Sequence, residues 1–291
     1  MPRIDVGPTT LHYQQTGAGP DIVLLHGFTS NLAMWMFSGI VSALADRYRV
    51  TCYDLRGHGL SEAPRDGYTS DQMAHDYLAL REKIGLGPAV MIGHSFGGVV
   101  AMHTALIEPD AVTGVILSDS YFPGLAHLEP NLEHAEVWQD LRGTLHKVGT
   151  TLPSTIDFDA LFTVIKNLTP EQSQAIEDDL GPAATRWLSQ IPQLGETTAA
   201  RETFEAAGLT ADALRRIKHP VVALYDEHTP FRATCDFLVE NLPNAVEDVV
   251  PEAKHLALLE NPTAFVELVE RYLKRLAPVS SEPPPAQPTH T

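Results

Sequence analysis

The chain has 291 residues, 44% of them hydrophobic, and its 37 acidic and 20 basic residues give a formal net charge of −17. This length suits one large α/β domain with an insertion, or two small domains. An acidic surface repels phosphate backbones and no apolar run is long enough to span a bilayer, so we expect neither a nucleic-acid nor a membrane partner.

Short apolar runs alternate with helical patterns over the first 120 residues. The predicted elements are, in order, antiparallel edge strands at 10–15, strand 22–25, helix 31–45, strand 48–53, helix 71–84, strand 89–92, helix 97–107 and strand 112–117. Alternation of strand and helix predicts parallel pairing, and therefore a doubly wound α/β sheet.

The alternation stops over residues 121–215, where only helical patterns occur. The predicted helices are 133–147, 158–166, 170–180, 182–190 and 197–207. The α/β pattern then returns with strand 221–225, helix 231–242, strand 245–250 and helix 263–276. We therefore expect a core of residues 1–120 and 216–277, and a helical cap of residues 121–215 at the edge where loops carry function. The Pro-rich tail, residues 278–291, is expected to be disordered.

The cysteines and the first residues bear on location. Cys52 and Cys235 are too few for a disulfide framework or a metal cage, and we expect both to be free, reduced and packed. The first five residues lack the basic and apolar stretches of a signal peptide. A cytoplasmic location is the default expectation.

The segment Gly93-His94-Ser95-Phe96-Gly97 joins the predicted strand 89–92 to the next helix. A Gly-x-Ser-x-Gly motif in this context forms a sharp strand-to-helix turn that exposes the serine Oγ. Ser95 is therefore the predicted nucleophile, and the alternative is a serine in an ordinary Gly-rich turn.

A serine hydroxyl needs a base, and the base needs an orienting partner. Residues just past the carboxyl ends of parallel strands meet at one edge of the sheet. His255 follows the last predicted strand, so it is the predicted base; the alternative is a surface-loop histidine. His26, His58 and His94 also lie on strand-end loops, and their position alone does not exclude them.

Two backbone N–H groups are needed to stabilise the oxyanion. One is expected from Phe96, the residue after the nucleophile, and the other from Phe28, which follows an earlier strand. The alternative for the His26-Gly27 dipeptide before Phe28 is a simple turn.

Four segments occur in order at family-like spacing, and with them the chain resembles the capped group of α/β-hydrolase fold enzymes over roughly residues 8–277. The segments are Leu24-Leu25-His26-Gly27-Phe28, Asp54-Leu55-Arg56-Gly57-His58-Gly59-Leu60-Ser61, Gly93-His94-Ser95-Phe96-Gly97-Gly98, and Lys254-His255 through Glu260-Asn261-Pro262. The resemblance implies an eight-stranded, mostly parallel sheet with a helical cap after the sixth strand. The group includes esterases, lactonases, carbon–carbon bond hydrolases, epoxide hydrolases and haloalkane dehalogenases; the last two use an aspartate at the elbow, so Ser95 argues against both.

The triad acid departs from the family pattern. The family usually places it after the strand written here as residues 221–225, and the expected position is Thr229, which carries no charge. A second family position follows the strand after the elbow helix, where this chain has Asp119. We predict Asp119 as the acid, with Asp226 or Glu227 as alternatives; the structural alternative for Asp119 is a carboxylate that caps the next turn.

These residues predict a serine hydrolase that cleaves a carboxylic ester or lactone of a small to medium apolar molecule through an acyl-enzyme on Ser95. No cofactor or metal is expected, because no metal-ligand spacing occurs. The alternatives are a carbon–carbon bond hydrolase of the same fold and a non-catalytic ligand receptor. The aromatic residues of the predicted cap are expected in the core more often than in the pocket; they are Trp138, Phe158, Phe162 and Trp187.

Overall fold

The computed structural model describes residues 2–180 and 182–277, which form an α/β sheet flanked by helices. The strands are β1 (Arg3–Asp5), β2 (Thr10–Thr16), β3 (Asp21–Leu25), β4 (Arg49–Tyr53), β5 (Ala89–His94), β6 (Val112–Ser118), β7 (Val221–Asp226) and β8 (Ala245–Val250). The helices of the sheet domain are α1 (Ala33–Phe37), α2 (Ile40–Leu44), α3 (Ser70–Ile84), α4 (Phe96–Ile107), α11 (Arg232–Asn241), α12 (Ala257–Glu260) and α13 (Pro262–Leu276). Those between β6 and β7 are α5 (Glu136–Lys147), α6 (Phe158–Lys166), α7 (Pro170–Leu180), α8 (Pro182–Leu194), α9 (Ala199–Glu202) and α10 (Ala211–Leu214).

The strands of the described residues pair in the order β1-β2-β4-β3-β5-β6-β7-β8. Every neighbouring pair from β4 to β8 is parallel, whereas β1 and β2 pair antiparallel at one edge. The predicted eight-stranded, mostly parallel, doubly wound sheet is confirmed.

The central strands are covered on both faces. Every residue of β3, β5 and β7 is buried, which is why these strands read as continuous apolar runs in the sequence. Val23 and Leu25 join a core with α3, α4 and α11, while Ile22 and Leu24 join a core with α2, α12 and α13. Because β3 to β8 run in one direction, their carboxyl ends form one edge, which we call the carboxyl edge.

Local backbone chemistry sets several helix boundaries. The single helix predicted over residues 31–45 is wrong, because Gly39 at φ 81° separates α1 from α2. Helix α3 begins after Thr69, whose side chain accepts a hydrogen bond from Gln72 N, and ends at Gly85 in the left-handed region at φ 67°.

The residues between β6 and β7, which we call the helical insert, contain helices and no strand within the described part of the chain. Helices α6 and α7 match their predicted bounds. Helix α8 extends beyond its predicted end at residue 190 and includes Pro192 in its last turn. The predicted helix 197–207 is wrong, since α9 ends at Glu202, and Ala207 and Gly208 both have positive φ. The predicted tail, residues 278–291, lies outside the described residues.

Cys52 and Cys235 are free and buried. Burial raises the pKa of each thiol to about 12. None of the described helices combines the length and the apolar character that crossing a bilayer requires.

Candidate active site

Ser95 lies on the turn between β5 and α4, at the carboxyl edge. Its backbone has φ 51° and ψ −121°, a strained conformation for a residue with a Cβ. The turn is so tight that a Cβ on Gly93 would overlap the nitrogen of Gly98, and a Cβ on Gly97 would overlap the Leu25 carbonyl. The sequence spacing therefore produces the expected elbow, with Ser95 facing a pocket.

His255 and Asp119 meet at this edge. His255 Nδ1 lies 2.6 Å from Asp119 Oδ2, with the Asp119 side chain fully buried and that of His255 19% exposed. Asp119 is the first residue after β6, at φ 46°, and its backbone N–H donates to the Leu224 carbonyl of β7. The strand register thus aims the carboxylate at the histidine ring, which leaves His255 Nε2 as the ring nitrogen available to a substrate or to Ser95.

The pKa of His255 is set by opposing effects. Burial lowers it, but the hydrogen bond and the charge of Asp119, together with the charges of Asp226 and Glu260, outweigh burial and raise the pKa above its usual value. A raised pKa makes the imidazole a stronger base once it is neutral.

The alternative acids make other contacts. Asp226 Oδ2 accepts a hydrogen bond from Ala257 N at 3.2 Å, and Glu227 Oε2 accepts one from Glu252 N at 2.8 Å. Neither carboxyl group hydrogen-bonds the His255 ring among the described contacts. Burial, with the charge of Asp119 beside it, raises the pKa of Asp226 to about 8. The shift favours the neutral form of Asp226, which is less suited than a carboxylate to stabilise an imidazolium.

Two further side chains hold the loop that carries His255, and sequence reasoning missed both. Glu260 Oε2 accepts hydrogen bonds from the backbone N–H groups of Lys254, His255 and Leu256, at 2.9, 3.4 and 3.0 Å. His94 Nε2 lies 2.8 Å from the His255 carbonyl, so it donates to that oxygen. Glu260 belongs to the segment Glu260-Asn261-Pro262, which carries part of the family resemblance. Its three hydrogen bonds depend on the fold of the loop, which the local sequence does not reveal.

The predicted oxyanion donors flank the elbow. The N–H groups of Phe28 and Phe96 have no hydrogen-bond acceptor among the described residues. The loop after β3 is fixed next to Phe28, because Thr29, at φ 61°, donates its N–H to His58 Nε2 at 3.1 Å. His26 is likewise engaged, accepting from Leu55 N at 3.0 Å.

These contacts remove the other strand-end histidines from consideration as bases. His26, His58 and His94 are buried and each ring is hydrogen-bonded to backbone. Burial lowers the pKa of His26, and lowers those of His58 and His94 to about 3. All three are neutral supports of the surrounding loops.

A pocket of about 990 Å³ joins the carboxyl edge to the helical insert. Ser95, His255, Phe28 and Phe96 lie on it from the sheet side. From the insert side, the lining includes Trp138, Leu141, Ile156, Phe158, Leu161 and Phe204. Two of the insert aromatics expected in the core, Trp138 and Phe158, therefore line the pocket as well.

The remaining insert aromatics differ from these two. Phe162 is 3% exposed and packs in the core, and the side chain of Trp187 lies outside the described residues. Within the described part of the chain, no group of three His, Cys, Asp or Glu side chains is placed to hold a metal ion.

Comparisons with known proteins point to one fold. A model of the alpha/beta hydrolase fold family matches residues 20–262. The chain is 27% identical to 3-oxoadipate enol-lactonase 2 of Acinetobacter baylyi over 88% of this chain and 89% of that protein. It is 37% identical to 2-(acetamidomethylene)succinate hydrolase of Mesorhizobium japonicum, over 40% of this chain and 41% of that one. The crystal structure of the enol-lactonase from Burkholderia xenovorans superposes with a TM-score of 0.68 at 24% identity, covering 94% of this chain and 100% of that chain; at this identity the likeness shows the fold.

Proposed function

The chain belongs to the α/β-hydrolase fold family, and we propose that it is a serine hydrolase that cleaves a carboxylic ester or lactone through an acyl-enzyme on Ser95. The observation that carries the proposal is the 2.6 Å contact between His255 Nδ1 and Asp119 Oδ2 beside the strained Ser95 elbow. A buried carboxylate on Nδ1 fixes the tautomer that leaves Nε2 as the proton acceptor, which is what nucleophilic serine catalysis requires.

The reaction follows from these positions. Neutral His255 takes the proton of the Ser95 hydroxyl while Oγ attacks the carbonyl carbon, and the oxyanion accepts hydrogen bonds from the N–H groups of Phe28 and Phe96. Asp119 stabilises the imidazolium, which then protonates the leaving alcohol. Water, activated by His255, releases the acid from Ser95. Ser95 and His255 line the same pocket, so the hydroxyl and the imidazole both face a bound substrate in this proposal.

The pocket supports a small to medium apolar substrate. Its insert side presents aromatic and aliphatic side chains to the space above Ser95, and such walls bind apolar groups while a few polar atoms orient the reacting carbonyl. In this proposal residues 121–215 act as a cap that encloses the substrate and excludes water. The enol-lactonase relative, which covers most of the chain, supports lactones within the substrate range.

The test combines a covalent probe with a substrate panel. We expect a fluorophosphonate to label the folded wild-type protein at Ser95, and to leave Ser95→Ala unlabelled although that variant folds. p-Nitrophenyl esters should be turned over, and Ser95→Ala should lower kcat by about 10⁴-fold or more.

The alternatives give different outcomes. Turnover of a vinylogous diketone ring-cleavage product, with slow or absent ester hydrolysis, would identify a carbon–carbon bond hydrolase. Absence of labelling, together with tight ligand binding, would identify a non-catalytic receptor.

A further inference from the structure

The ring of Phe28 lies at the junction between the carboxyl edge and the helical insert. Its centroid is 5.4 Å from Phe158, 5.8 Å from Phe162 and 5.6 Å from Phe204, all three of which belong to the insert. The contacts with Phe158 and Phe204 are edge-to-face, at interplanar angles of 69° and 84°, the geometry that aromatic pairs prefer. The residue proposed as an oxyanion donor through its backbone is therefore held through its side chain by the insert.

Phe28 also contacts the sheet domain. Its ring packs edge-on against His58 at 5.7 Å, and the neighbouring Thr29 amide donates to the same imidazole. His58 is fully buried and its other ring nitrogen is bonded to the Arg56 carbonyl. The Phe28 ring therefore lies between a hydrogen-bonded histidine of the sheet domain and the aromatic rings of the insert.

Two of the insert rings also face the substrate space. Phe158 and Phe204 stack on each other with centroids 4.7 Å apart and planes 16° from parallel, and both line the pocket. Phe162 contacts Phe28 but is buried in the core. An acyl group bound in the pocket would therefore contact Phe158 and Phe204, the two pocket-lining rings that also pack against Phe28.

We propose that Phe158 and Phe204 form an aromatic clamp that positions the Phe28 N–H, so that the helical insert sets the oxyanion hole and couples it to binding of the acyl group. Both act as positioning residues, because they touch the donor residue and not the reacting atoms. The inference rests on the proposed function, since it assigns the insert a part in stabilising the oxyanion of that reaction.

The size of the effect follows from the donor's role. Removing one oxyanion donor outright lowers kcat by about 10²–10³-fold. Removing one ring of the clamp leaves the Phe28 N–H present, but its orientation towards the oxyanion is less well fixed. We therefore expect Phe158→Ala and Phe204→Ala each to lower kcat by about 10-fold, even for an acetate ester too short to fill the space beside the rings.

The matched control is Val164→Ala. Val164 lies on α6, the helix that begins at Phe158, and is half-buried against the core, but among the described contacts it neither lines the pocket nor touches Phe28. Its truncation loosens the packing of the insert to a similar extent and should leave kcat for acetate within about twofold. Phe204→Tyr keeps the ring against Phe28, so it should restore most of the kcat that Phe204→Ala loses.

A transition-state analogue separates positioning from a general structural effect. An alkyl trifluoromethyl ketone forms a hemiketal with Ser95 whose oxyanion occupies the donor site. Its Ki should rise by about the same factor as kcat/KM for acetate falls in Phe158→Ala and Phe204→Ala, and stay unchanged in Val164→Ala. Active sites are counted with the fluorophosphonate, so that an unfolded fraction does not enter kcat or Ki.

The outcomes distinguish the two proposals. If kcat for acetate and the Ki of the ketone stay within twofold of wild type in both alanine variants, the clamp is wrong while the serine hydrolase stands. If wild-type protein neither hydrolyses esters nor reacts with the fluorophosphonate, the proposed function itself is wrong.

Discussion

The carboxyl edge and the helical insert use different forces on the two sides of one pocket. At the edge, directional hydrogen bonds between buried groups hold the loops, such as His255 to Asp119 at 2.6 Å and His94 to the His255 carbonyl at 2.8 Å. In the insert, the side chains above the pocket meet through ring contacts such as Phe158 with Phe204. Hydrogen bonds fix the position and charge of single atoms, whereas apolar contacts fix the shape of a space. We therefore expect substitutions at the edge to change the rate of the chemical step, and those in the insert to change which substrate fits, except at the Phe28 contacts where the regions meet.

The largest effect is expected from Asp119. Asp119→Asn should lower kcat by a factor on the order of 10⁴, because the imidazolium loses its charged partner and the tautomer is no longer fixed. The pH profile should also move. Activity requires neutral His255 and falls as the pH drops through its pKa; since Asp119 raises that pKa, the acid limb of residual activity should shift to lower pH. Steady-state kinetics between pH 4 and pH 9 measure both effects.

The matched controls for Asp119 are the two alternative carboxylates. Asp226→Asn and Glu227→Gln should keep kcat within about 10-fold, since neither group bonds the ring. Near-full activity in Asp119→Asn, with loss in either control, would show that the acid was misassigned.

A smaller change in rate is expected from Glu260. Glu260→Ala removes the acceptor of three successive backbone N–H groups around His255, so kcat should fall by about 10-fold as the base becomes less well positioned. Glu260→Gln keeps an acceptor oxygen and should recover most of the rate. Glu267→Ala, at an exposed position on α13, is the surface control. Equal kcat values in Glu260→Ala and Glu267→Ala would show that Glu260 does not position His255.

The insert side of the comparison is tested at Leu141, which lines the pocket from α5. Leu141→Ala enlarges the pocket by about three carbon atoms and should shift the ratio of kcat/KM for hexanoyl over acetyl esters by about 10-fold towards the longer chain. kcat for the acetate should change little. Leu141→Met conserves volume and should leave the ratio near wild type; an unchanged ratio in Leu141→Ala would mean that the acyl group binds elsewhere.

At Asp226 we expect a change in stability and little change in rate. The pKa of this carboxyl is about 8 in the folded protein and about 3.9 when unfolded. The folded state therefore binds the extra proton between these values, and the free energy of unfolding falls as the pH rises from about 4 to 8. Asp226→Asn has no titrating carboxyl at this position, so its free energy of unfolding does not fall in this way. The Tm of the variant minus that of wild type should therefore increase between pH 5 and pH 8.5, by about 2–4 °C for each kcal/mol that wild type loses. A difference in Tm that does not depend on pH would contradict the assignment.

The sequence predicts the part of the molecule that local patterns encode. Apolar strands and the Gly-x-Ser-x-Gly spacing place Ser95 on its turn, and the position of His255 after the last strand predicts that it reaches the same edge. The choice of Asp119 over Asp226 depends on register, since β6 pairs Ser118 with Leu224 and so brings the following carboxylate against the histidine. That these residues catalyse a reaction stays a prediction until it is measured.

What the sequence does not encode locally could not be predicted. The bond from His94 to the His255 carbonyl joins positions 161 residues apart, and the three bonds to Glu260 require a loop fold that no periodicity reveals. The split of α1 from α2 depends on one left-handed glycine, Gly39. Which insert aromatics face the pocket depends on tertiary packing, because helical spacing alone gives core and lining positions the same pattern.

The left-handed residues at the carboxyl edge bear on how this protein can be engineered. Of the non-glycine residues with positive φ in the described chain, Thr29, Ser95, Asp119 and Glu252 lie in the loops after β3, β5, β6 and β8, while Ala207 lies in the insert. Each such conformation costs about 1–3 kcal/mol, which glycine would relieve. A screen that selects for heat resistance alone would therefore favour glycine at Ser95 and Asp119, two residues whose side chains the proposed mechanism requires. Thermostable variants of this chain need to be selected for turnover at the same time, with substitutions drawn from surfaces away from these loops.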